Sequence, residues 1–248
     1  MNIFELTSGK SAVVALILSI FSGGMAQPNE QIRQLKISAA QQSTAVALAQ
    51  CSTRGSQPIE GVVVVLHGRG GHASTSDLAR MFLNFACSKR LAVAAPAAPT
   101  KNQNWPFEKM QGEKQDLLLL ELIKNILPRE LGIKKELKTY LVGVSAGATF
   151  LMGDFYPRHG AQLKGFAAAL CGGSAPTAAQ ISGLKQLEKT FPLFLQISRK
   201  DFLFQQTEQG LKKYAEMGLP LRARITDEPG HCAFNFAESL DLIEKQMR

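Results

Sequence analysis

Tryptophan occurs once in this chain of 248 residues and tyrosine three times, and aromatic side chains make up only 7% of the whole. No block of lysine and arginine is interleaved with what aromatics there are, which argues against a nucleic-acid partner. No C-x-x-C or C-x-H spacing occurs, so no metal centre is expected, and no organic cofactor is implied. There is no internal repeat, low-complexity tract or heptad pattern. The apolar run Ala12–Phe21 is about half the ~20 residues that a bilayer-spanning helix needs. No other stretch approaches that length, so stable membrane insertion is not expected.

What is present begins with an export signature. Lys10 closes a polar segment, Ala12–Phe21 follows as an apolar core, and Gly24-Met25-Ala26 is a small-x-small cleavage site. Residues 1–26 therefore read as a signal peptide and residues 27–248 as a single domain, secreted or periplasmic; an anchoring helix is the alternative. An oxidising compartment favours pairing of cysteines. The four here, Cys51, Cys87, Cys171 and Cys232, permit two bridges in three connectivities, or buried free thiols. The formal net charge is +8, and Glu5 and Lys10 cancel within the signal. That excess suits anionic surroundings such as phospholipid headgroups, envelope polysaccharide or an acidic polymer, or else a solvated basic surface without a partner. The oligomeric state is not legible.

Along the chain, strands alternate with helices. Gln34 to Ser38 and Thr44 to Gln50 read as short strands. Gly61 to Leu66 is a continuous β-branched apolar run, the mark of a central strand covered on both faces. Ser74 to Asp77 offers helix caps, and Leu78, Met81, Phe82 and Phe85 follow at helical spacing. Leu91 to Ala95 is a strand stopped by Pro96, and a loop from Ala97 to Glu113 contains Trp105. Lys114 to Leu127 reads as a helix ended by Pro128. Strands are expected at Leu137 to Val142, Lys164 to Leu170, Pro192 to Ser198 and Leu221 to Ile225. Helices are expected at Ala148 to Tyr156, Thr177 to Lys189, Gln205 to Met217 (with Gly218 after its end) and Cys232 to Gln246. This alternation predicts a mostly parallel sheet with helices on both faces. In such sheets ligands bind at the carboxyl ends of the strands.

Gly143-Val144-Ser145-Ala146-Gly147 lies between an expected strand and an expected helix. A G-x-S-x-G pattern in that setting puts a serine hydroxyl on a tight turn clear of the sheet. A serine nucleophile needs a base, an orienting acid and an oxyanion hole. Of the four histidines, His67 and His72 precede Ser145, and His159 follows the helix at the wrong end of the sheet. His231 follows the last strand and is the expected base. Asp201 follows the Leu193–Ser198 strand and is the expected acid. Asp227, four residues before His231, is its competitor, and Asp154 lies about two and a half turns along the helix from Ser145. For the oxyanion hole, Ala146 supplies an N–H at a helix start. The loop His67-Gly68-Arg69-Gly70-Gly71 supplies the other, from Arg69 first and Gly70 second.

With oxyanion loop, serine, acid and histidine in that order, the chain resembles the α/β-hydrolase superfamily over nearly all of residues 34–248. The stretches His67 to Gly71, Gly143 to Gly147 and Gly230-His231-Cys232 resemble those of small carboxylesterases. These include the phospholipase/carboxylesterase group and relatives of polyhydroxybutyrate depolymerases and feruloyl esterases. The resemblance implies an α/β-hydrolase fold and a Ser145–His231–Asp201 triad with Arg69 and Ala146 as oxyanion donors. It implies a cofactor-free carboxylic ester hydrolase acting on a small-molecule or polymeric ester. Trp105, with Pro106 and Phe107, and Gly70 are expected to line the substrate site; the alternative for Trp105 is an aromatic packed over the edge of the sheet. In feruloyl esterases and tannases a cysteine before the serine bridges to one after the histidine. Here Val144 precedes Ser145, so Cys171, at the end of the next strand, is the expected partner of Cys232, leaving Cys51 to Cys87. The competing readings are a peptidase of the prolyl-oligopeptidase type and a non-catalytic exported binding protein.

Overall fold

The computed structural model describes residues 30–39, 41–51, 58–71, 75–100, 104–105, 112–176, 192–219 and 221–246. The expected signal peptide, the helix expected at 177–189, and His72, Ser74, Pro106 and Phe107 lie outside the described residues.

Eight strands form one sheet: β1 (Glu30–Ala39), β2 (Gln42–Cys51), β3 (Gly61–Leu66), β4 (Leu91–Pro96), β5 (Lys138–Val144), β6 (Lys164–Leu170), β7 (Leu193–Ser198) and β8 (Leu221–Thr226). Their order is β1-β2-β4-β3-β5-β6-β7-β8. β1 and β2 form an antiparallel hairpin, and β2 runs antiparallel to β4. All other neighbours are parallel. Every residue of β3, β4 and β7 is buried, as expected of parallel strands sandwiched between helix layers.

Side-chain alternation divides the core between the two faces. Val62, Val64 and Leu66 of β3 join Leu141, Phe150, Phe155 and Tyr214 on one side. Val63 and Val65 join Phe82, Phe85, Tyr140, Phe166 and Leu240 on the other. Helix α1 (Thr75–Ser88) and the C-terminal helix α5 (Phe236–Gln246) cover the second face. The first face is covered by α2 (Gly112–Glu121 continuing through Leu122–Ile126 and Leu127–Glu130), α3 (Ala146–Phe150 continuing through Leu151–Phe155 and Tyr156–His159) and α4 (Phe204–Glu216). Among the described residues no helix is long and apolar enough to cross a membrane.

Three local expectations change. Pro128 does not end α2. The segment before it, Leu122–Ile126, widens to a π-helical turn, and helix resumes at Leu127–Glu130. The same sequence of events occurs in α3, where the π-turn Leu151–Phe155 precedes Pro157. A proline ring clashes with the carbonyl four residues back, and a π-turn relieves that contact without breaking the helix. Second, α5 begins at Phe236 rather than Cys232. Positive φ angles at Gly230 (101°) and Cys232 (57°) make a turn through His231. Asn235 Oδ1 then accepts the Glu238 N–H at 3.2 Å as an N-cap. Third, Met81 is 48% exposed, whereas Leu78, Phe82 and Phe85 of the same expected stripe are buried.

All four cysteines are paired. Cys51–Cys87 joins the end of β2 to α1, and Cys171–Cys232 joins the end of β6 to the turn after His231, with Cα atoms 5.6 and 5.0 Å apart.

Candidate active site

Ser145 stands between β5 and α3 with φ 53° and ψ −112°. A residue with a side chain in that region carries backbone strain of about 1–3 kcal/mol, so the surroundings must enforce it. They do so by hydrogen bonds. The Ser145 N–H donates to the Leu170 carbonyl at 2.9 Å, and the Gly147 N–H to the His67 carbonyl at 3.1 Å. The two glycines allow the turn to close. A Cβ on Gly143 would lie 2.5 Å from the Gly147 carbonyl oxygen. A Cβ on Gly147 would lie 2.7 Å from the His67 carbonyl oxygen and closer still to that of Leu66.

Three strand ends meet there. His231, after β8, has Nε2 at 2.8 Å from Ser145 Oγ and Nδ1 at 2.7 Å from Asp201 Oδ2. With Nδ1–H donating to the carboxylate, Nε2 is the acceptor of the serine hydroxyl. The Asp201 carboxylate is 1% exposed and the His231 side chain 29%. Asp201 Oδ1 also accepts the Leu203 N–H at 2.9 Å. The acid and base loops are tied to each other: Ser198 Oγ donates to the Glu228 carbonyl at 2.6 Å and accepts the Lys200 N–H at 3.1 Å. The other acids are engaged elsewhere. Asp227 takes Arg199 Nη1 at 3.1 and 3.2 Å on the surface. Asp154 pairs with Arg158 at 3.0 Å. His159 lies 2.7 Å from Asp116 Oδ2 and fastens α3 to α2, away from Ser145.

The loop after β3 turns as a short 3-10 segment, Arg69–Gly71, beside the serine. A Cβ built on Gly68 would be 3.4 Å from the Ser145 Cβ. His67, 5% exposed, accepts the Ala98 N–H on Nε2 at 2.9 Å. Its proton is therefore on Nδ1, which donates to the Gly68 carbonyl at 2.6 Å. Burial lowers the pKa of this imidazole below its ordinary value and outweighs the bond to Gly68, which acts the other way. In a trans peptide the carbonyl of Gly68 and the N–H of Arg69 point in opposite directions. Holding the one therefore aims the other. The Gly70 N–H is already donated to Asn104 Oδ1 at 2.9 Å. On the serine side the Ser145 and Gly147 amides are occupied, as above. The Ala146 N–H between them has no acceptor among the described residues and begins a helix.

Trp105 is 4% exposed. Its ring stacks on Phe150 at 5.3 Å and lies 5.5 Å from the His67 ring, so it packs into the core behind the loop that follows β3. That burial leaves little ring surface for a substrate. Two residues beside Ser145 and His231 have contacts that the linear sequence does not suggest: His67, which holds the Gly68 carbonyl, and Phe202. Phe202 is 76% exposed, and its ring centroid is 4.5 Å from that of His231. Its only sequence signal is its place immediately after Asp201. For a metal, the grouping of Cys171, His231 and Cys232 brings its ligand atoms within 4.8 Å. Both sulfurs are in the disulfide, so neither is available as a thiolate.

No family model and no curated protein matches the chain in sequence. Solved structures match it in shape. An esterase of Rhizomucor miehei superposes with a TM-score of 0.66 at 13% identity, over 89% of this chain and 84% of that one. A thermostable esterase from Pseudomonas putida gives 0.60 at 12% identity, over 88% and 80%. Another thermostable esterase gives 0.61 at 17% identity over 87% of this chain, which spans 60% of that protein's length. With its eight-stranded, mostly parallel sheet and helices on both faces, the chain has the α/β-hydrolase fold.

Proposed function

We propose that the protein is an exported serine hydrolase that cleaves carboxylic esters through an acyl-enzyme on Ser145. The observation that carries this reading is the continuous path Ser145 Oγ, His231 Nε2, His231 Nδ1, Asp201 Oδ2, with both links under 3 Å. His231 takes the hydroxyl proton as Oγ attacks the ester carbonyl, and the carbonyl oxygen becomes an alkoxide. The N–H groups of Ala146 and Arg69 stabilise that alkoxide. The tetrahedral species collapses as the C–O bond to the alcohol breaks, and the imidazolium returns the proton to the departing oxygen. Water then repeats the sequence on the acyl-enzyme and releases the acid. Asp201 holds the imidazole tautomer and balances the imidazolium. No metal or organic cofactor enters these steps. The esterase neighbours in shape support small esters as substrates, and the two disulfides fit an exported protein.

The test is hydrolysis of a short-chain p-nitrophenyl ester, with labelling by a fluorophosphonate. Wild type should turn over the ester and take the label on Ser145. Ser145→Ala should do neither. Retention of most activity by Ser145→Ala removes the assignment.

A further inference from the structure

Phe202 is 76% exposed, more than Met81, Leu117 and Ile225, the other exposed large apolar residues among those described. A single exposed apolar residue is ordinary in itself. Phe202 differs in its place. Its ring centroid is 4.5 Å from that of His231, at an interplanar angle of 43°. Its backbone lies between fixed points: the Asp201 N–H donates to the Ser198 carbonyl at 3.1 Å, and the Leu203 and Phe204 N–H groups both donate to Asp201 at 2.9 Å. The ring is thus mounted on the same hydrogen-bonded turn that supplies the buried carboxylate, and it lies against the imidazole with much of the residue open to solvent.

We propose that Phe202 forms the wall against which the alcohol part of the substrate packs, and that it selects esters of aromatic or other flat apolar alcohols. This rests on the esterase reading above and narrows it. His231 Nε2 must deliver its proton to the departing alkoxy oxygen, so the alcohol part lies on the imidazole side of Ser145. The acyl carbonyl oxygen lies on the other side, towards the Ala146 and Arg69 amides. A ring attached one or two bonds beyond the alkoxy oxygen reaches the exposed face of Phe202 and removes apolar surface from water on both partners. A methyl group does not reach it.

The experiment compares benzyl and methyl esters of one acid, because their alcohols are similar in acidity and the ratio then reports contact rather than leaving ability. In Phe202→Ala the ratio of kcat/KM for benzyl over methyl should fall about tenfold, the scale of a lost apolar contact in a specificity pocket. Phe202→Tyr keeps a flat ring and should hold the ratio within about twofold of wild type. An unchanged ratio in Phe202→Ala, or an equal loss for both esters, overturns the proposal, the second by showing that Phe202 only steadies His231. Wild type that hydrolyses neither ester, nor any other, and takes no fluorophosphonate on Ser145 overturns the esterase reading instead.

Discussion

His231 Nδ1 lies 2.7 Å from Asp201, thirty positions upstream, while Asp227, only four residues ahead of the histidine, turns away to Arg199 at 3.1 Å. Nearness in sequence and nearness in space here name different acids. Asp201→Asn should lower kcat/KM on the order of 10³–10⁴-fold, because the amide can hold the wrong tautomer on the imidazole. Asp227→Asn removes only a surface ion pair of little energetic weight and should leave kcat/KM within about threefold. Steady-state kinetics on one ester settles the assignment; equal losses in the two variants would sink it.

Gly147 sits where the strand–turn–helix junction touches the carbonyls of Leu66 and His67. A methyl group there has backbone, not a flexible side chain, in its way. Gly147→Ala should therefore destabilise the protein by about 1–3 kcal/mol, the usual cost of overpacking, and displace Ser145. Urea unfolding measures the first effect and fluorophosphonate labelling rate the second. A wild-type midpoint with wild-type labelling would show that β3 and α3 can move apart at no cost.

The two disulfides should separate stability from activity. Cys51→Ser/Cys87→Ser and Cys171→Ser/Cys232→Ser should each lose stability on the scale of about 2–4 kcal/mol. Only the second bridge holds the turn that carries His231. Loss of that bridge should lower kcat at temperatures where the variant is still folded, and loss of the first should not. Far-UV circular dichroism and kinetics on the same samples make the comparison; equal kcat in the two double variants would show that the Cys171–Cys232 bridge does not govern the placement of His231.

His67 gives a pH dependence of stated sign. Burial holds its folded pKa below the ordinary 6.5. Between that lowered value and 6.5 the unfolded chain binds a proton that the folded chain does not, so stability falls as pH drops below 6.5. Protonation also turns Nε2 from an acceptor for the Ala98 N–H into a second donor facing it. Unfolding midpoints at pH 7.5 and pH 5 should differ more in wild type than in His67→Asn. Identical pH dependence in the two would place the titration elsewhere.

Much of the frame is readable from residues 61–66, 137–147 and 193–198, because strands covered on both faces are apolar at most positions and a tight strand–turn–helix junction needs glycine where backbones touch. The site's loops were less readable. Pro128 and Pro157 look like helix stops until neighbouring turns widen, which no local pattern announces. Trp105 lies in a loop, and only the fold decides that its ring meets Phe150, forty-five positions away. The start of α5 is not legible in the sequence because Cys232, Ala233 and Phe234 continue the apolar spacing of the helix, whereas the backbone turns there with positive φ at Gly230 and Cys232. Phe202 carries no signal beyond its neighbour.

The two bridges span 36 and 61 positions of sequence. The smaller loop so formed encloses β3 and Arg69, and the larger encloses Asp201 and His231. Ser145 belongs to neither. A protease that nicks the backbone once inside either loop leaves a molecule that still migrates as one band without reductant and splits only when thiol is added. A cut in the span between Cys87 and Cys171 has no disulfide across it, so under denaturing conditions the two parts separate without thiol, and the stretch that bears Ser145 is the one the bridges leave unprotected.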